Sequence, residues 1–128
     1  MKYIPLIGRT LFSLIFLMTI EGHFSAGAIG YADKMGVPMP NILVPLSGVI
    51  ATLGALSIII GYKAQWGAWL IIIFLIPVTF FMHRFWGIAD TAAAQMQMVN
   101  FMKNLSMIGG ALLIAFWGPG PVSIDSRP

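Results

Sequence analysis

The sequence predicts an all-α protein, a four-helix transmembrane bundle of up-down topology with a short interfacial helix between spans one and two. Three observations carry that expectation. The chain is 59% hydrophobic and 9% charged, with a mean hydropathy of +0.90, whereas a soluble domain carries about 25% charged residues. Four apolar stretches approach the roughly 20 residues that cross a bilayer as a helix. Much of the scarce polarity, including His83, Arg84, Asp90 and Lys103, lies between those stretches or at their ends. Helices follow because a spanning segment must satisfy its own backbone hydrogen bonds in hydrocarbon.

The spans are expected at about residues 4–21, 41–61, 66–83 and 100–117, and residues 1–128 read as one integral membrane domain. The first is apolar to Ile20, with Lys2 and Arg9 ahead of its most hydrophobic part and Glu21 and His23 closing it. A basic start, an apolar core and Ala26-Gly27-Ala28 also fit a secretory signal peptide; the expectation is a retained span. Residues 24–35 are expected to form the interfacial helix, with Asp33 and Lys34 facing water. Gly36-Val37-Pro38 ends it, because a residue before proline avoids the α region.

In the second span Gly48, Ala51, Thr52 and Ala55 recur at helical spacing as a small-residue stripe. Such a stripe lets another helix approach closely where packing drives association. Residues 62–65 connect spans two and three so briefly that the two must be antiparallel neighbours. Pro77 predicts a kink in the third. The fourth carries Ser106, Gly109 and Gly110 as its small face and stops at Gly118-Pro119-Gly120-Pro121, followed by a short polar tail.

Four spans place both termini on one side. Tyr3, Tyr62, Trp66, Trp69 and Trp117 would form an aromatic belt there, with Trp86 and Tyr31 at the other face. Lys2, Arg9, Lys63 and Arg127 against Lys34, Arg84 and Lys103 favour cytoplasmic termini, in a bacterial inner membrane. The net charge of +3 and pI of 9.6 are too sparse for nucleic acid. The lipid bilayer is the expected partner, with other membrane subunits or a second copy of the chain.

Residues 4–117 also carry a family resemblance. Gly8-Arg9 opens the first span, Gly36-Val37-Pro38 precedes the second, and Gly54 to Gly61-Tyr62-Lys63 closes it. His83 with Phe85 follows the third span, and Lys103-Asn104-Leu105 leads to Gly109-Gly110 in the fourth. In this order the chain resembles the DoxX family of small four-helix bacterial membrane proteins, with Ala51 where members often carry a glutamate. The resemblance implies a non-catalytic accessory or structural subunit of a respiratory or redox complex, with a quinone as the associated cofactor.

The ionisable residues point to a second reading, a quinone- or lipid-binding site. Glu21, His83, Arg84, Lys103 and Asn104 all reach the face opposite the termini. An acid, an imidazole and cations converging there suit a polar head group. Snorkelling to lipid phosphates is the alternative for the charged members. Glu21 is expected to pair with Lys103 or Arg84. Arg9, roughly 7 Å into the first span at ~1.5 Å per residue, is expected to pack or anchor to lipid. His23 and His83 as haem ligands, or with Glu21 as a metal set, lack support because both histidines sit at span ends. The sequence has no cysteine, and no nucleophile–base motif, phosphate loop or dinucleotide fingerprint.

Overall fold

The computed structural model describes residues 1–126, which form an all-helical bundle with four helices long and apolar enough to cross a membrane. The first such segment is Ile4–Phe24, which begins with α1 (Ile4–Met18); the others are α3 (Pro40–Ile60), α4 (Ala64–Met82) and α5 (Thr91–Trp117). Between α1 and α3 lie a 3-10 turn at Glu21–Phe24 and the short helix α2 (Ala26–Lys34). Arg127, counted above among the cations of the terminal face, falls outside the described residues.

Each boundary has a local cause. Ser25 caps α2 by accepting from the Ala28 N–H at 3.1 Å, and Gly36 (φ +90°) turns the chain out of it. Pro40 opens α3, where its missing N–H costs nothing. Gly61 (φ +71°) closes α3, its N–H and that of Tyr62 both donating to the Ser57 carbonyl at 2.9 and 3.1 Å. Asp90 caps α5 by accepting from the Ala93 N–H at 3.0 Å. That cap starts the helix ahead of the expected fourth span. The Ala92-Ala93-Ala94-Gln95 run is strongly helix-forming, so α5 continues nine residues ahead of the expected residue 100. Lys103 therefore lies about three turns inside the helix instead of at its start.

α4 is the centre of the bundle, packed between α3 and α5, with α1 against α3. Phe16, Ala51, Ala55, Ile58, Ala68, Ile71, Leu75 and Ala111 make up most of the core. α3 and α4 approach each other closely at a pair of glycines. A Cβ at Gly54 would lie 2.8 Å from the Gly67 carbonyl oxygen, and one at Gly67 2.5 Å from the Ser57 hydroxyl. The stripe read from the sequence is divided among different neighbours. Ala51 and Ala55 are core residues. Gly48 lies under His23, where a Cβ would come within 2.5 Å of the histidine's own. Half-buried Thr52 turns its hydroxyl back onto the Gly48 carbonyl at 2.7 Å. On α5, Gly110 faces Phe12 of α1, whereas a Cβ at Gly109 would meet nothing within 4 Å.

The direction of the helices can be checked by single-cysteine labelling in sealed vesicles. Lys2→Cys and Lys63→Cys should react from one side, Lys34→Cys and Asp90→Cys from the other; any other division refutes the topology.

Candidate functional site

Two adjoining cavities open at the face opposite the termini. The larger, about 480 Å³, lies between the end of α1, the 3-10 turn, α2, the first half of α3 and the second half of α4. Its wall includes Ala28, Ala32, Val44, Ile50, Phe74 and Val78, with Thr19, His23 and Ser47 as the polar side chains. All three are turned onto backbone carbonyls. Thr19 donates to Ile15 and Phe16 at 3.0 and 3.2 Å, Ser47 to Val44 at 2.6 Å. His23 Nδ1 sits 2.9 Å from the Thr19 carbonyl, which can only accept, so that nitrogen carries the proton. The cavity is thereby left apolar.

The smaller cavity, about 250 Å³, occupies a gap between α1, α4 and α5. It shares Thr19, His23, Phe74 and Val78 with the larger one, and adds His83, Asn100, Lys103 and Asn104. The His23 ring stands edge-on to Phe74, centroids 5.4 Å apart, at the boundary between the two spaces. Drug-sized ligands occupy pockets of roughly 300–1,000 Å³. The larger cavity falls in that range and the smaller suits only a head group or fragment.

Of the residues expected at the site, His83, Lys103 and Asn104 meet in the smaller cavity. Glu21 and Arg84 do not join them. Glu21 is exposed on the 3-10 turn and lines neither cavity. Arg84 reaches across to the Met35 carbonyl at 2.9 Å and fastens the end of α2 to the end of α4.

Two positioning residues were missed in the sequence. His83 Nδ1 donates to Gln97 Oε1 at 3.0 Å, Gln97 Nε2 donates to the Tyr31 hydroxyl at 3.2 Å, and that hydroxyl donates to the Met82 carbonyl at 3.4 Å. This chain of bonds ties α2, α4 and α5 together and sets the imidazole's orientation. The signal was present: Gln97, Asn100 and Asn104 follow helical spacing, but only once α5 begins at Thr91. Both histidines line the smaller cavity, which is too small for a large macrocycle. Among the described residues no three His, Cys, Asp or Glu side chains cluster as a metal set.

The family model described as the SURF4 family matches residues 1–128. The chain belongs to the SURF4 family. This corrects the DoxX resemblance. Among its relatives, the inner membrane protein YphA of Escherichia coli is 32% identical over 101 residues, covering 79% of this chain and 71% of that protein. The inner membrane protein YqjF of the same organism is 32% identical over 122 residues, 94% of this chain and 88% of that protein. A Surfeit locus protein 4 homolog of Schizosaccharomyces pombe is 27% identical over 126 residues, 98% of this chain but 37% of that longer protein. No solved structure matches.

This SURF4-family chain has a second polar centre at the terminal face. Arg9 is 3% exposed; of the two roles expected for it, it packs within the protein and does not snorkel to lipid. Residues 118–126 fold back over α1 and the α3–α4 corner, and the guanidinium is buried beneath them. Nη1 donates to the carbonyls of Pro119 and Pro121, and Nη2 to those of Val122 at 2.8 Å and Ile59 at 3.4 Å. The same tail caps α4. The Asp125 carboxylate accepts from the Lys63 and Ala64 N–H groups at 2.7 and 2.9 Å, where a negative charge also suits the helix dipole. Asp125 N–H donates in turn to the Gly61 carbonyl at 2.7 Å.

Proposed function

We propose that this SURF4-family protein is a non-catalytic component of the bacterial cytoplasmic membrane that binds an amphiphile at the face opposite its termini. The observation that carries the reading is the pairing of an apolar space of about 480 Å³ with a smaller one bearing Lys103, Asn104 and His83. A lipid has the same two parts, an apolar tail and a polar head. The names of YphA and YqjF as inner membrane proteins support the compartment. A single domain over residues 1–128 and cytoplasmic termini belong to the same reading. Lys2, Arg9, Lys63 and Arg127 against Lys34, Arg84 and Lys103 favour that orientation. The accessory-subunit role, and the quinone so far as the DoxX resemblance implied it, lose that support with it.

The test is saturable binding of radiolabelled oleyl alcohol, a neutral probe of the tail cavity, to the full chain purified in a neutral detergent. Val78→Trp, which fills the shared wall, should weaken binding at least about tenfold, because each excluded CH₂ forfeits about 0.8 kcal/mol. Leu113→Trp, at an exposed lipid-facing position, should leave it unchanged. Wild-type affinity in a folded Val78→Trp protein, or no saturable binding by the wild type, refutes the reading.

A further inference from the structure

We infer that the smaller cavity selects an anionic head group, a phosphate or a carboxylate, with Lys103 as its counter-charge and Asn104 as its buried donor. This rests on the amphiphile-binding reading and adds the chemistry of the head. Lys103 lines the cavity and no acidic residue does. Glu21, the acid expected to pair with it, stands apart on the exposed 3-10 turn. A cation at the rim of a low-dielectric space with no carboxylate beside it favours an anion there. The second observation is independent of that charge. Asn104 is 5% exposed and lines the same cavity, so the edge of its amide that is not covered by protein opens on that space. A side-chain amide offers two N–H donors to whatever occupies the space it lines. His83 completes the set. Gln97 occupies its Nδ1, leaving Nε2 as the ring nitrogen available to a hydroxyl of the head.

The experiment compares oleate, oleoyl lysophosphatidate, oleyl alcohol and inorganic phosphate on the purified full chain in neutral detergent. Both anionic lipids should bind at least about tenfold more tightly than oleyl alcohol, the scale of one charge-assisted hydrogen bond. Lys103→Met should bring all three within about twofold of one another, while Lys103→Arg keeps the preference. Asn104→Ala should narrow it. The thermal midpoint without ligand separates these effects from unfolding. If oleyl alcohol binds as well as the anions, the head-group inference falls while the amphiphile reading stands. The same holds if folded Lys103→Met keeps the preference. Inorganic phosphate binding as tightly as lysophosphatidate would uphold the anion site, assign it to a free anion and refute the lipid reading. If none of the four binds, both fall.

Discussion

Arg9→Met is expected to release residues 118–126 from the terminal face and to lower stability by about 2–4 kcal/mol. The substitution keeps an apolar stem of similar length, so the loss reports the guanidinium and not its packing. Four carbonyls, those of Ile59, Pro119, Pro121 and Val122, lose a donor at once. An unmet buried carbonyl costs about 1–3 kcal/mol, offset in part because a buried cation no longer has to be desolvated. Arg9→Lys should fall between the two, since an ammonium lacks the planar fork that spans several acceptors. Hydrogen exchange of residues 118–126, followed with the thermal midpoint in detergent, measures both effects. Unchanged exchange in Arg9→Met would show that the tail is held by something else. Asp125→Ala should loosen the same segment, and its effect should not add to that of Arg9→Met, because the two bind one short stretch of chain.

The second large effect is expected at Gly67. Its added methyl would meet Ser57 Cβ at 2.7 Å and the Gly54 carbonyl oxygen at 3.0 Å, in addition to the serine hydroxyl. A hydroxyl can rotate away, but a helix carbonyl cannot, so α3 and α4 must separate. Gly67→Ala should cost about 1–3 kcal/mol and Gly67→Leu more than that. Gly109→Ala provides the contrast within the same bundle. Nothing lies within 4 Å of a Cβ there, so replacing a mid-helix glycine by alanine should stabilise by up to about 1 kcal/mol. Equal thermal midpoints for Gly67→Ala and Gly109→Ala would contradict the assignment of a close approach at Gly67.

The contrast also shows what could be read from the chain. Apolar run length placed the four spans, because hydrocarbon thickness constrains it directly. Asp33, Lys34, Gly36 and Pro38 placed the short helix α2 for equally local reasons. Small residues were legible as small, but not which of them has a neighbour; that depends on how helices rotate against one another. Gly48 serves the 3-10 turn at His23, and Gly109 has no close neighbour. The DoxX resemblance was misleading for a related reason. Two of the glycines that carried it, Gly36 and Gly61, hold left-handed backbone at helix ends, a requirement of the local turn that any family with the same layout would share. The partners of Arg9 were illegible because all are backbone carbonyls, three of the four more than a hundred residues away, to which the side-chain sequence gives no clue. The polar face of α5 was hidden by placing its start at residue 100 when Asp90 caps it.

The carboxylate that completes the first turn of α4 has a consequence for biosynthesis. Asp125 leaves the ribosome 61 residues after Ala64, whose N–H it satisfies. At ~5–20 residues per second the α3–α4 hairpin waits about 3–12 s for its own cap. During that interval the N–H groups of Lys63 and Ala64 must be served by water or lipid phosphate. The α3–α4 corner is therefore closed only after the whole of α5 has emerged.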